Sequence, residues 1–127
     1  MKLNYKSFAD DELLYLANAY NSGLRYTAMV QQAHRICELY LKQVIENSLY
    51  NNNQEVMLSH SLLKLYTYIT ESVGIDLSHI RKYIMEINYY SSHTKYPGRE
   101  LFIATEGDIT TCFLAIGEIV KGLRRLL

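Results

Sequence analysis

A single proline, Pro97, serves all 127 residues. It sits in Tyr89-Tyr90-Ser91-Ser92-His93-Thr94-Lys95-Tyr96-Pro97-Gly98-Arg99, between two stretches of helical character. Proline fixes φ, lacks an N–H and pushes the residue before it towards extended geometry. The stretch Tyr89–Arg99 therefore reads as a loop, and it gathers three tyrosines, a histidine and two cations. Binding groups often sit on such polar, aromatic loops of a rigid scaffold.

Elsewhere the apolar residues recur at helical spacing. Ser7, followed by Asp10, Asp11 and Glu12, reads as a helix start with acids near the positive end of the dipole. Leu13, Leu14, Leu16, Ala17 and Tyr20 supply that helix's apolar face, and Asn21-Ser22-Gly23 stops it. A second helix is expected from about Leu24 to about Ser48. Met29, Ala33, Ile36, Tyr40 and Val44 form one stripe on it, with Val30, Cys37, Leu41 and Ile45 alongside. So wide an apolar face suits a helix with several neighbours. Glu38 and Lys42 are read as an i,i+4 pair on its opposite side.

Three further helices follow. Ser59 or Ser61 caps one carrying Leu62, Tyr66, Ile69 and Val73, stopped by Gly74. Asp76 caps another in which Ile80, Ile84 and Ile87 share a face, and Asp108 opens the last, with Ile109, Cys112, Ile116, Ile119 and Leu123 as its stripe. Leu101–Ala104 has weak strand character and no evident partner. The expected fold is all-α, an antiparallel bundle of four to five helices forming one domain over residues 1–127.

Composition removes several function classes. Thirteen basic and thirteen acidic residues balance to zero, so nothing draws the whole molecule to nucleic acid or an anionic membrane. The amino terminus has no apolar run of a signal peptide, and no segment reaches the roughly 18 apolar residues of a membrane span. A cytoplasmic protein is expected, with Cys37 and Cys112 read as two reduced core thiols in preference to the alternative, one disulfide between them. The four histidines, His34, His60, His79 and His93, form no zinc-ligand pattern, so no metal is expected. The glycine-rich phosphate cradles are absent, and no cofactor is expected.

His34 reads as a solvated residue beside Arg35, His60 as local structure at a helix start, and His79 as surface. His93 has chemical company. A neutral imidazole near Lys95 and Arg99 has the parts for metal-independent RNA cleavage, a base for the 2′-hydroxyl and positive charge for the phosphorane. The plainer reading, a polar loop that closes the bundle, is preferred for it. Some of the twelve tyrosines are candidates for stacking bases or lining a dimer interface.

Gln31-Gln32-Ala33-His34-Arg35-Ile36-Cys37-Glu38-Leu39-Tyr40-Leu41-Lys42 resembles the second-helix signature of HEPN domains (higher eukaryotes and prokaryotes nucleotide-binding). Ser59-His60-Ser61-Leu62-Leu63-Lys64-Leu65 resembles that family's His-x-Leu-x-x-Leu helix start. Tyr90 with Thr94-Lys95-Tyr96-Pro97-Gly98 resembles its Tyr…Arg-Tyr-Pro loop, with lysine for arginine. The matches come in family order and span roughly residues 8 to 126.

The resemblance implies an all-α bundle, commonly a homodimer. Members include metal-independent RNases of toxin–antitoxin and defence systems, non-catalytic partners of minimal nucleotidyltransferases, and nucleotide-binding modules. The RNases carry an arginine followed four to six residues later by histidine, a spacing that no arginine here satisfies. The expectation is thus a non-catalytic nucleotide- or partner-binding module with a nucleotidyltransferase-type partner. Lys95 and Arg99 would contact phosphate, Tyr96 would stack, and Tyr90 belongs to the same loop signature. The alternative is a divergent RNase with His93 as base.

Overall fold

A computed structural model describes residues 4–21, 25–48, 54–94 and 104–127. Among them it shows six α-helices and no strand: α1 (Tyr5–Asn21), α2 (Tyr26–Ser48), α3 (Gln54–Met57), α4 (Leu62–Tyr68), α5 (Arg81–Thr94) and α6 (Glu106–Leu123). The all-α expectation holds. The additional helix is the single turn α3, too short to leave a periodic signal.

α2 is the axis of the molecule, packed against α1, α4, α5 and α6. Both of its expected stripes are buried, and residues 36–45 are buried without interruption. That continuity overturns the reading of Glu38 and Lys42 as a surface pair. Both are buried, with Lys42 Nζ 3.0 Å from Glu38 Oε2. A helix with neighbours on so many sides has little solvated face left, so its polar residues are enclosed as well.

α1 begins earlier than its acidic run suggests. Asn4 Oδ1 accepts from the Ser7 backbone N–H at 2.8 Å, which makes asparagine rather than Ser7 the capping side chain. The acids then fall beyond the first turn and do other work. Asp10 accepts from the Tyr40 hydroxyl at 2.6 Å and from Lys6 Nζ at 2.9 Å, and Glu12 accepts from Arg35 Nε at 2.7 Å. Burial, and after it the Asp10 carboxylate, push the Tyr40 phenol above its ordinary range. Ala9, Leu16 and Ala19 are the buried residues of α1, whereas Leu14 is exposed.

Ser61 caps α4, its hydroxyl accepting from the Lys64 N–H at 3.2 Å. The helix continues through a π turn, Ile69–Val73, and stops at Gly74. Gly74 has φ 75°, the left-handed conformation that glycine adopts without a Cβ clash. Asp76 Oδ1 accepts from the Ser78 N–H at 3.0 Å and starts the 3-10 turn Ser78–Ile80 that leads into α5. Ile80, Ile84 and Ile87 are buried together, as their spacing predicts. Thr105, not Asp108, caps α6: its hydroxyl accepts from the Asp108 N–H, while the Asp108 carboxylate accepts from the Thr105 N–H. Asp108 is the third helical residue of a reciprocal capping box. Gly122 marks a close approach, since a Cβ there would collide with Ile80 Cγ2.

The expected loop at Tyr89–Arg99 starts too early. α5 runs on to Thr94, so Tyr89 to Thr94 are helical. Pro97 limits how far a helix can extend, but it does not say how early the helix must stop. Ser91 and Ser92 are accommodated because their hydroxyls donate to the carbonyls of Asn88 and Tyr89, at 3.1 and 3.0 Å.

Cys37 and Cys112 are free and buried. Burial, with Cys112 as a second influence, pushes the Cys37 thiol up. Burial followed by the charges of Asp108 and Glu86 pushes Cys112 up to about 12. The thiolate is the reactive form, so both should resist a thiol reagent such as Ellman's in the native protein. Both should react promptly once guanidinium unfolds the chain, and rapid labelling of either thiol in the native state would contradict this packing.

Candidate functional site

A polar cleft of about 430 Å³ opens between α2, the start of α4 and the end of α5. Gln31, His34, Arg35 and Glu38 line it from α2, His60 and Ser61 from the segment entering α4, and Asn88, Ser91 and Ser92 from α5. On α2 these residues are three to four apart, which places them along one face.

Each wall is tied to the next. The Gln31 side-chain amide donates to the Ser91 carbonyl at 2.7 Å, joining α2 to α5. His60 Nδ1 lies 3.1 Å from Glu38 Oε1 and 3.2 Å from Oε2, joining α2 to the start of α4. Glu38 also receives the Lys42 ammonium, so a buried carboxylate is compensated from two sides. With Nδ1 as the donor to Glu38, the imidazole presents Nε2 on its outer edge, and this side chain is 77% exposed. Arg35 reaches the other way, through Nε to Glu12 of α1, a bond that favours the guanidinium's charged form.

The cleft differs from the site expected at Tyr89–Arg99. His34 is a half-buried cleft residue rather than a solvated one, and His60 is bonded to a buried carboxylate. Tyr90 is not among the lining residues. It is half-buried with its ring packed against the core and 5.5 Å from that of Tyr89. Burial first, and then the negative charge of Asp108, push its phenol up. The backbone of His93 belongs to the last turn of α5, while its side chain and residues Lys95, Tyr96 and Arg99 lie outside the described residues.

Sequence reasoning did not bring together Arg35, Glu38, His60 and Asn88. A signal was present: positions 31, 35, 38 and 42 are polar at helical spacing on a helix whose other positions are largely apolar. Such a stripe on a helix enclosed on several sides has to be satisfied internally or line a cavity.

The family model of the HEPN domain matches residues 5–126, nearly the whole chain. The chain belongs to the HEPN family. No curated protein and no solved structure matches it. In this HEPN domain the first two segments that carried the resemblance meet in space, and the first also reaches the residue beside Tyr90, while Lys95 to Gly98 of the third lie outside the described residues. Gln31 of the first bonds Ser91, next to Tyr90 of the third, and Glu38 of the first bonds His60 of the second. Among the described residues no group of three or more His, Cys, Asp or Glu side chains is placed to hold a metal ion. Nor is any helix among them long and apolar enough to cross a membrane.

Proposed function

We propose that this HEPN domain is a non-catalytic nucleotide- or partner-binding module whose ligand site is the polar cleft of α2, α4 and α5. The observation that supports the reading is the meeting of the first two family segments at that cleft through Glu38–His60, with Gln31–Ser91 tying the first to the end of α5. Lys95, Tyr96 and Arg99 follow Ser92, a lining residue, within seven positions of sequence. In this reading they supply two phosphate contacts and one stacking ring. The module works in the cytoplasm as a homodimer beside a nucleotidyltransferase-type partner, as in toxin–antitoxin and defence systems. Phe8, Leu14 and Tyr15 on α1 and Leu114 on α6 offer exposed apolar surface for self-association.

Calorimetric titration with ATP tests the nucleotide arm. Binding is expected, weakened about tenfold or more in Lys95→Ala and again in Arg99→Ala, since a hydrogen bond to a charged group is worth about 1.5–3 kcal/mol. Binding indifferent to both substitutions would remove these residues from the site. Labelled single-stranded RNA incubated in EDTA tests the competing reading. Intact RNA is expected; cleavage that His93→Ala abolishes would make the protein a metal-independent RNase instead.

A further inference from the structure

Three cationic or potentially cationic side chains line the cleft, His34, Arg35 and His60, and the last two are each held from behind by a carboxylate. Glu12 holds Arg35 through Nε at 2.7 Å, and Glu38 holds His60 through Nδ1 at 3.1 Å. Glu12 uses only one oxygen in this contact, because its buried Oε2 has no partner among the described residues. The grip on Arg35 is therefore single-point, and the four N–H donors on its two Nη atoms have no partner among the described residues. His60 Nε2 has none either. Both line the same cleft, and Arg35 is the i,i+3 neighbour of Glu38, the residue that holds His60.

The remaining hydrogen-bond capacity of the cleft leans towards donors. The Glu38 carboxylate is occupied by Lys42 and His60, and the Gln31 amide by the Ser91 carbonyl. The Ser91 and Ser92 hydroxyls donate to backbone carbonyls. Open to a ligand are the Arg35 Nη donors, the Asn88 amide, which both donates and accepts, and His60 Nε2, which donates when the imidazole is doubly protonated. The Arg35 fork, and with it the imidazolium form of His60, calls for a ligand rich in acceptors, and the planar guanidinium matches phosphate oxygens in particular.

From this geometry we propose that Arg35 and His60 form a phosphate clamp, Arg35 through Nη and His60 through Nε2, with Glu12 and Glu38 as the residues that position them. The ligand class is a phosphate or diphosphate group, and its oxygens bridge the turn of α2 between the two side chains. Both carboxylates are already neutralised, Glu12 by Arg35 and Glu38 by Lys42, so neither stands as an uncompensated charge against the anion. The assignment rests on the reading of this cleft as the ligand site. It goes further by placing the phosphate on α2 and the start of α4.

Inorganic pyrophosphate is the probe. The imidazole signals of His60, assigned by their loss in His60→Gln, are followed by NMR during titration, with calorimetry in parallel. Saturable movement of those signals is expected, with at least a tenfold loss of pyrophosphate affinity in His60→Gln and in Arg35→Gln. Both side chains are more than half exposed, so both variants should fold, as circular dichroism would verify. Unmoved His60 signals, or undiminished affinity in both variants, would overturn the clamp. ATP binding that depends on Lys95 and Arg99 but leaves His60 undisturbed would also refute it, while sparing the wider reading. Pyrophosphate bound at His60 without binding of ATP would uphold the clamp and count against a nucleotide ligand.

Discussion

Leu16→Ala should cost about 2–5 kcal/mol of folding stability, whereas Leu14→Ala should stay within about 0.5 kcal/mol of the native protein. The two leucines are two positions apart, and helical geometry turns them about 200° from each other. Leu16 is fully buried, while Leu14 is 64% exposed. Truncating Leu16 removes transfer energy and leaves a cavity where α1 packs on α2, and the cavity term adds to the loss. Polar ties between the two helices keep α1 from shifting to close the gap. They include Asp10 to the Tyr40 hydroxyl and the Lys6 N–H to Gln43 Oε1 at 3.0 Å. Urea denaturation followed by circular dichroism measures both variants. Equal losses would mean that α1 is seated in a different rotation.

The same pair shows where the sequence was legible. Leu13, Leu14, Leu16, Ala17 and Tyr20 are all apolar and were assigned to one face, yet a helix cannot point all five at the same neighbour. On α2 the reading succeeded because the stripes through Met29 and Val30 are wide, and the helix has neighbours on several sides to cover them. Gly74 and Ser61 were legible because turns and caps are local chemistry, decided within about four residues, whereas Asp76 bonds Ser78 in the turn ahead of α5 and Leu77 holds the capping position. The start of α1 was misread because an acidic run was credited to the helix dipole. Two of those acids, Asp10 and Glu12, are partners for Lys6, Tyr40 and Arg35, and two of these three lie on another helix.

The cleft was legible only in pieces. Gln31 and His60 stood out as parts of the family signature, but nothing local states that His60 rests on Glu38, 22 residues away, or that Gln31 reaches Ser91, 60 residues away. His93 stands out in the sequence because its cationic neighbours, Lys95 and Arg99, are close to it along the chain. His60 has its chemical company only after folding. Enclosed polar residues on a central helix are the feature to look for in such a chain, since a helix covered on several sides leaves them no solvent.

Lys42→Met should be the other severe substitution, with an expected loss of about 3–5 kcal/mol. The side chains of Lys42 and Glu38 are each 7% exposed, so removing the ammonium strands a carboxylate in the interior with only the His60 imidazole to meet it. Methionine keeps the volume of the stem, so the loss reports the stranded charge rather than a cavity. The double variant Glu38→Leu, Lys42→Met separates the pair's energetic role from its structural one. Replacing both partners with apolar groups removes the stranded charge, and stability should return to within about 1–2 kcal/mol of the native protein. His60 would then have lost the carboxylate that orients it, so pyrophosphate binding should stay impaired in a fully folded protein. Recovery of stability without recovery of binding would show that the buried pair positions the imidazole. If the double variant recovered both, Glu38 would be a structural residue only, and His60 would not need it to bind.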